Sequence, residues 1–308
     1  MILELKDLNK SFDKAVLKNI NLEIEQGEII SILGKSGSGK STLLNIIAGF
    51  QKAGSGSLVI NEQTVFNKKI NIEPQNRNIG FVFQNYALFP HLNVKDNLLF
   101  GVKNKKDKSI VSELLELVEL QGYEKKYPHE LSGGEQQRIS IARVLATNPD
   151  IILLDEPFSS VDTLLKAEIE KELLSLIKKS GKTAIFVTHD PKEAMAISDK
   201  IAFLEDGEII QYDTPKNIYY KPKSKVVASF FGIANFIGEQ CYRLHEITLN
   251  ANEGMHRVKV DYSIFRGEYH ELHISVNVDE KEYPFVVFDY SDFHTKEEFF
   301  ISLKSHFI

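Results

Sequence analysis

The hydrophobic and polar positions near the start of the chain predict strands, then a glycine-rich loop, then a helix. Residues 22–24 alternate between apolar and polar side chains, and residues 28–33 form a mostly apolar run, as strands do. Three glycines within residues 34–39 follow, and residues 40–48 have the apolar spacing of a helix. A phosphate-binding loop is expected where strand, glycine loop and helix follow in this order.

The middle of the chain changes from strands to helices and back. Residues 109–120 and 135–146 have helical patterns, which predict a helical insert over about residues 85–148. Beyond Pro149, apolar strand patterns alternate with a helical pattern over residues 163–180. Strands that alternate with helices imply a mostly parallel sheet. We therefore expect an α/β core that carries a helical subdomain.

The last part of the chain has a different composition. Residues 241–308 carry 12 acidic and 7 basic residues and six of the nine histidines, and two segments within them alternate like strands. These patterns predict a small β-rich domain over residues 241–308, behind a larger domain over residues 1–240. We expect a regulatory or dimer-forming role for the small domain. Its histidines do not predict a metal site, because His270 and His273 would point to opposite faces of a strand.

Composition and charge exclude several classes of protein. The chain has 308 residues, a formal net charge of −6 and one cysteine, Cys241. One cysteine allows neither an internal disulfide nor a cysteine zinc cage, and an acidic chain argues against a nucleic-acid partner. The N-terminus lacks the apolar core of a secretion signal, and no apolar run reaches the roughly 18 residues that a spanning helix needs. We expect a cytoplasmic protein.

The glycine-rich loop matches the pattern G-x4-G-K-[ST] of phosphate-binding loops. It consists of Gly34, Lys35, Ser36, Gly37, Ser38, Gly39, Lys40, Ser41 and Thr42. Its glycines let backbone N–H groups converge on an anion, and the helix start behind them adds partial positive charge. Lys40 is expected to bind the β- and γ-phosphates of ATP, and Ser41 to bind Mg²⁺. The alternative is a glycine-rich turn that binds nothing.

Two carboxylates follow an apolar strand pattern in the second half of the core. Asp155 and Glu156 come directly after residues 151–154, which are all apolar. The carboxyl edge of a parallel sheet is where ligands bind in open α/β folds. Asp155 is expected to hold Mg²⁺, and Glu156 to polarise the water that attacks the γ-phosphate. The alternative is a strand with a solvated acidic end.

A second anion site is expected before the helix at residue 135. Ser132, Gly133, Gly134 and Glu135 stand at this helix start and offer a hydroxyl, backbone N–H groups and a helix dipole. Since a phosphate loop already exists in the same chain, the second site suggests that two copies sandwich one nucleotide. The alternative is an ordinary N-capped helix.

Residues 131–138, Leu-Ser-Gly-Gly-Glu-Gln-Gln-Arg, resemble the signature motif of the ATP-binding-cassette (ABC) ATPases. The resemblance covers residues 1–240 and implies a P-loop ABC ATPase core, with a RecA-like mixed sheet and a helical subdomain, that works as a homodimer. Phe12 matches the aromatic residue that stacks on adenine, although it could instead be a core or edge phenylalanine. Gln84 matches the glutamine loop, Asp162 the loop at the dimer interface, and His189 the switch histidine at the γ-phosphate.

The resemblance completes the expected site. It assigns nucleotide contacts outside the phosphate loop to Phe12, Gln84, Ser132, Gly133, Gly134, Glu135, Asp162 and His189. It assigns hydrolysis to Lys40, Gln84, Glu156 and His189, and Mg²⁺ to Ser41, Gln84 and Asp155. The residues at 159–162 read Ser-Ser-Val-Asp where Ser-Ala-Leu-Asp is usual, and this change removes no group that the chemistry needs.

Two further segments resemble the ATPases of binding-protein-dependent importers. Residues 85–92 are aromatic and apolar and resemble the segment that grips a permease, although they could instead be core of the helical insert. Residues 207–232 resemble the importer subfamily for ferric iron, polyamines, sulfate, molybdate and sugars. Residues 230–236 and 266–272 are most similar to the ferric-iron type, and the small domain is then an atypical form of the subfamily's C-terminal (TOBE) domain.

The resemblance to importers implies partners, a location and alternatives. The partners are a second ATPase subunit, integral permease subunits and, indirectly, an extracytoplasmic solute-binding protein. The location is peripheral, on the cytoplasmic face of the inner membrane. A soluble ABC ATPase of translation or DNA maintenance remains an alternative, but such proteins usually carry two cassettes or a long coiled coil. An exporter ATPase is the other alternative, for which the β-rich end would be unusual.

Overall fold

The backbone contacts divide the chain into two units, Met1–Lys221 and Pro222–Ile308. The computed structural model describes residues 1–83, 87–102, 109–158, 163–250, 253–291, 293 and 298–304, with the backbone alone for residues 163–165. Each unit is described below by itself.

The first unit contains two sheets and a set of helices. Its strands are β1 (Leu3–Ser11), β2 (Ala15–Ile24), β3 (Ile29–Leu33), β4 (Ser55–Ile60), β5 (Gln63–Phe66), β6 (Ile79–Val82), β7 (Ile151–Asp155), β8 (Thr183–Thr188), β9 (Lys200–Glu205) and β10 (Glu208–Asp213). Its helices are α1 (Lys40–Ala48), α2 (Val94–Gly101), α3 (Ser109–Leu117), α4 (Gly133–Leu145), α5 (Thr163–Ser180), α6 (Pro191–Ile197) and α7 (Pro215–Tyr220).

The larger sheet is mixed. Its six strands have the order β10-β9-β3-β8-β7-β6. The strands from β9 to β6 are parallel, and β10 runs antiparallel to β9. The second sheet is antiparallel, with the order β2-β1-β4-β5. The helices α2, α3 and α4 form a separate buried cluster, which also includes Leu176 of α5. These features confirm the predicted α/β fold with a helical subdomain.

Alternate side chains of β7 enter two different cores. Ile151 and Leu153 join a buried cluster with α1 and the antiparallel sheet. Ile152 and Leu154 join a cluster with α4, α5 and α6 on the opposite face. A parallel sheet that is covered on both faces requires such continuous apolar strands. The same pattern therefore brings the end of β7 to the edge of the sheet with its two carboxylates.

The second unit is rich in antiparallel strands. Its elements are α8 (Lys225–Phe230), β11 (Ala234–Ile237), β12 (Gln240–Arg243), β13 (Ile247–Asn250), β14 (His256–Phe265), β15 (His270–Val278), β16 (Lys281–Asp289) and β17 (Glu298–Leu303). β11 pairs with β12, and the other strands form a five-stranded sheet with the order β13-β17-β14-β15-β16. The predicted β-rich character of the end of the chain is confirmed.

The second unit begins before the boundary expected at residue 240. The buried guanidinium of Arg243 donates to the carbonyls of Ala228 at 2.8 Å and Gly232 at 3.2 Å. The side-chain amide of Asn235 donates to the carbonyl of Val286 at 2.9 Å, and its oxygen accepts from the N–H of Val286 at 2.7 Å. These hydrogen bonds join α8 and β11 to the strands that follow. The shift in composition near residue 240 could not indicate them.

A buried arginine closes the C-terminal end of α1. Gly49 ends this helix in a left-handed conformation, with a φ of 88°. Nη1 of Arg77 donates to the carbonyls of Ile46 at 2.7 Å and Ile47 at 3.0 Å. Nε of the same arginine donates to the carbonyl of Ile72 at 2.8 Å. Carbonyls at a helix end lack partners within the helix. The N–H of Gly49 donates to the carbonyl of Ile46 at 3.2 Å, and Arg77 supplies further donors to this carbonyl and to that of Ile47.

We expect Arg77→Met to destabilise the first unit by about 3 kcal/mol, because it leaves buried carbonyls without donors. Calorimetry would record a lower midpoint of unfolding. Lys18→Met is the control, since it removes an exposed ammonium group that lies 4.0 Å from Glu208. It should leave the midpoint nearly unchanged. An unchanged midpoint for Arg77→Met would contradict this role for the guanidinium.

Candidate active site

The phosphate loop connects β3 to α1 and lies tightly against its surroundings. Gly39 has a φ of 104°, which disfavours other residues, and a Cβ at this position would lie 2.9 Å from the carbonyl oxygen of Val16. A Cβ at Gly34 would lie 2.0 Å from the carbonyl oxygen of Leu204. No side chain caps the start of α1 within the described chain. The N–H groups of its first turn are therefore available to an anion.

Lys40 lies inside this loop. Its side chain is 6% exposed, and Nζ donates to the carbonyls of Gly34 and Lys35, each at 2.9 Å. Burial lowers the pKa of Lys40, while the charges of Glu156 and Asp155 oppose this effect. The hydroxyl of Ser38 is also buried, and it has no hydrogen-bond partner among the described residues. The loop thus holds a buried cation and an unused hydroxyl at a helix start.

A hydroxyl and a carboxylate meet beside the loop. Oγ of Ser41, in the first turn of α1, donates to Oδ1 of Asp155 at the end of β7, at 3.5 Å. Burial, and then the charge of Glu156, raises the pKa of Asp155. Oxygen donors of these two kinds are the ligands that Mg²⁺ prefers in proteins. The residues present therefore fit a magnesium ion, and Gln84, the third expected ligand, lies outside the described residues.

Glu156 and His189 come from neighbouring strands and approach each other. Nδ1 of His189 lies 3.5 Å from Oε2 of Glu156. The N–H of Glu156 donates to the carbonyl of Val187 at 3.0 Å. Glu156 has a φ of 45°, a left-handed conformation that costs a non-glycine residue free energy. The fold thus fixes the backbone of Glu156 at the end of β7.

These groups share one cavity of about 490 Å³. It is lined by Val16, Ser36, Gly37, Gly39, Lys40, Ser41, Thr42, Glu156 and His189. The structure thus brings the phosphate loop, with Lys40, together with Glu156 and His189, which are three of the four residues that the sequence assigns to hydrolysis. Sequence reasoning did not find Val16, because it reaches the loop from β2 and carries no chemical signal.

Other expected residues do not line this cavity. Phe12 is 56% exposed with Nζ of Lys10 4.8 Å from its ring, so it is not a core phenylalanine. Ser132 and Glu135 form a capping box at the start of α4, in which Oε2 of Glu135 accepts from the N–H of Ser132 at 2.7 Å. Gly133 and Gly134 belong to this same helix start.

Two expected residues, Gln84 and Asp162, lie outside the described residues, as do Asn85 and Tyr86 of the aromatic segment. Within the described part of the chain, no helix is long and apolar enough to cross a membrane. The same described residues contain no cluster of three or more histidine, cysteine, aspartate or glutamate side chains with the arrangement of a metal site.

Comparisons with known proteins identify the family. A family model described as "ABC transporter" matches residues 17–159. Two relatives from Haemophilus influenzae strains are named Fe(3+) ions import ATP-binding protein FbpC 2 and FbpC. Each is 42% identical over 237 residues, or 75% of this chain, and the match covers 67% and 68% of the relatives.

Two solved structures have the same fold. The ATP-binding cassette MJ0796, a dimer in a post-hydrolysis state bound to ADP and Pi, has a TM-score of 0.58 and 35% identity. The match covers 70% of this chain and 99% of that one. CbiO1 of Clostridium perfringens, part of the ABC transporter complex cbiONQ, has a TM-score of 0.64 and 31% identity, covering 70% of this chain and 90% of its own.

The mixed sheet and its phosphate loop define a P-loop ATPase. This chain belongs to the ABC transporter family, among its ATP-binding subunits. It is an ABC-type ATPase that binds and hydrolyses ATP.

We expect Lys40→Ala to weaken ATP binding at least about tenfold, because it removes a buried cation from the phosphate loop. Titration with a fluorescent ATP analogue would measure the affinity. Lys182→Ala is the control, since its Nζ donates to Oδ1 of Asn148 at 2.7 Å, outside the cavity. Equal affinities for Lys40→Ala and the parent would contradict the placement of the phosphates.

Proposed function

We propose that this chain is the ATPase subunit of an importer, that two copies bind ATP with Mg²⁺, and that hydrolysis drives uptake of a solute. The observation that carries the site assignment is the convergence of Lys40, Ser41, Glu156 and His189 on one cavity. Lys40 and Ser41 begin α1, Glu156 follows β7, and His189 follows β8. Phosphoryl transfer needs this kind of positioning and charge stabilisation more than covalent chemistry.

In the proposed reaction, each group has a separate task. The N–H groups of the loop and Lys40 bind the β- and γ-phosphates. Ser41 and Asp155 would hold Mg²⁺, which supplies positive charge to the phosphates when it is bound. Glu156 orients the attacking water and accepts its proton. His189, with its ring nitrogen 3.5 Å from Glu156, contacts the γ-phosphate and stabilises the charge that develops there.

The proposal of a homodimer is supported by a second predicted anion site that the cavity does not include. The helix start at residues 132–135 does not line the cavity of its own chain. It carries N–H groups and the positive end of the α4 dipole, which suit an anion. We propose that this helix start in a second copy covers the γ-phosphate. The dimer of the related cassette MJ0796, bound to ADP and Pi, supports this arrangement.

An aromatic groove supports a permease partner. A groove of about 370 Å³ is lined in part by Phe81, Phe83, Phe89 and Phe100. The ring of Phe89 lies 4.5 Å from that of Phe100, which is 64% exposed, and Arg143 lies 5.2 Å from the ring of Phe89. Exposed aromatic and arginine side chains are typical anchors of protein interfaces. Ala87 and Phe89, which belong to the described part of the expected permease-binding segment (residues 87–92), line this groove.

The proposed solute is ferric iron. The two relatives that are 42% identical to this chain over 237 residues are named as Fe(3+) ions import ATP-binding proteins. A solute-binding protein outside the membrane and the permease would recognise the ion, and this chain would stay at the cytoplasmic face. Import of polyamine, sulfate, molybdate or sugar is the alternative within the same class. A soluble ABC ATPase without a transport partner is the alternative from another class.

We expect Glu156→Gln to bind ATP with near-parent affinity, to hydrolyse it at least about 100-fold more slowly and to accumulate as an ATP-bound dimer. The amide keeps the shape of the carboxylate but cannot accept the proton. Phosphate release would measure the rate of hydrolysis, and light scattering would measure the accumulation of the dimer. Glu208→Gln, on β10 outside the cavity, should behave as the parent. Hydrolysis at the parent rate by Glu156→Gln would contradict this assignment.

Gentle solubilisation of membranes followed by capture of this chain should recover permease subunits. We expect Phe100→Ser to reduce their recovery several-fold, because it removes an exposed aromatic side chain from the groove. Phe265→Ser is the matched control, as Phe265 is 66% exposed but lies in the second unit. Hydrolysis by the free chain should not change in either variant. Recovery with ribosomes or DNA alone would favour the soluble alternative.

A further inference from the structure

Lys166 of α5 forms two ion pairs with the segment that follows His189. Its Nζ lies 2.9 Å from Oδ2 of Asp190 and 2.5 Å from Oε1 of Glu193. The Glu193 side chain is 8% exposed, and the Lys166 side chain is 25% exposed. A buried carboxylate requires a cation or several hydrogen bonds, so removal of its partner is costly. The nucleotide site described above uses none of these three residues.

The same network holds the backbone on both sides of His189. The hydroxyl of Thr188 donates to Oε2 of Glu193, and the N–H of Asp190 donates to that hydroxyl at 3.0 Å. Asp190 also caps α6, since its Oδ1 accepts from the N–H of Lys192 at 2.8 Å. His189 is thus preceded and followed by residues whose side chains belong to one hydrogen-bonded cluster around Lys166.

The position of Lys166 in the chain connects two parts of the proposed site. α5 begins at Thr163, directly after residues 159–162, where Asp162 is expected to meet the second copy. Lys166 lies within the first turn of this helix. Glu156 precedes residues 159–162, and Nδ1 of His189 lies 3.5 Å from it. One cation therefore joins the helix behind the expected interface loop to the loop that carries His189.

We propose that Lys166 is a positioning residue for hydrolysis, which holds His189 beside Glu156 through Asp190 and Glu193. This inference rests on the proposed roles of His189 and Glu156. Without the ammonium group, Asp190 and Glu193 would repel each other, and Glu170 would add a third carboxyl. Burial, and then the charge of Glu193, already raises the pKa of Glu170. Repulsion among three carboxyl groups would move the segment that contains His189.

The first test compares variants of α5. We expect Lys166→Met to lower kcat about tenfold, because His189 is displaced, while KM for ATP stays within about twofold because the phosphate loop is untouched. Lys166→Arg should restore at least half of the parent kcat. Lys179→Met is the matched control on the same helix, as its Nζ lies 3.3 Å from Glu119 in an exposed pair. It should match the parent in both constants.

The second test is a double-mutant cycle with His189→Ala, measured by single-turnover hydrolysis. If Lys166 acts through His189, Lys166→Met should cost less than about twofold in this background. A further tenfold loss there would show a general structural effect and overturn the proposal. Parent-like hydrolysis by Lys166→Met would also overturn it.

The same cycle separates this proposal from the one on which it rests. Parent-like hydrolysis by His189→Ala itself would overturn both the role of His189 and the positioning by Lys166. Slow hydrolysis by His189→Ala together with parent-like hydrolysis by Lys166→Met would overturn only the positioning role of Lys166. If Lys166→Met does not fold, Lys166→Gln combined with Glu193→Gln removes the buried like charges. This pair still lacks both ion pairs to Lys166, so it should lower kcat, although less than Lys166→Met because the buried like charges are gone. A parent-like kcat would contradict the proposal.

Discussion

The burial of α1 between the two sheets is the constraint on which the site depends. The apolar side of this helix belongs to the same core as β7 and the antiparallel sheet. Its first turn lies against the backbone of β2 at Gly39, and Arg77 satisfies the carbonyls of its last turn. Because these contacts hold α1 at both ends and along its side, the helix cannot move away from a bound anion. The free N–H groups of its first turn are therefore preorganised, which lowers the cost of binding.

The strand order explains why the other groups arrive at the same place. β3, β8 and β7 are neighbours in the parallel sheet, so their carboxyl ends meet at one edge. β3 leads into the phosphate loop, β7 ends in Asp155 and Glu156, and β8 between them ends just before His189. The histidine is consequently close to both the loop and the glutamate. The apolar side chains of these strands point alternately into two cores and thereby fix the strand positions. The polar residues of the site lie at the strand ends, beyond the two cores.

The contiguous motifs were predictable from sequence because each depends on local order. A strand, a glycine loop and a helix start can be recognised within ten or so residues, and the same is true of β7 with its two carboxylates. Val16 was not predictable, because it reaches the cavity from β2 and is a common residue type. The ion pairs of Lys166 were not predictable either, because they join a helix to residues that are distant in the sequence. Ser132 shows a different difficulty. Its capping box is what an ordinary helix start requires, so one local structure fits both the functional interpretation and the plain one.

The polar network around His189 differs in kind from the packing that holds α1. Apolar burial holds α1 behind the phosphate loop mainly through packing, and shifting the helix would open cavities. The segment after β8 is held instead by Lys166 and two carboxylates, with Thr188 between them. Ion pairs of this kind can exchange partners or lengthen without exposing apolar surface. A site that binds ATP in one copy and, as proposed, hydrolyses it together with a second copy is served by both kinds of support. The nucleotide then binds at α1, which is packed in the core. The proposed hydrolytic residue His189 lies instead in a segment that ion pairs connect to α5, the helix behind the expected interface loop.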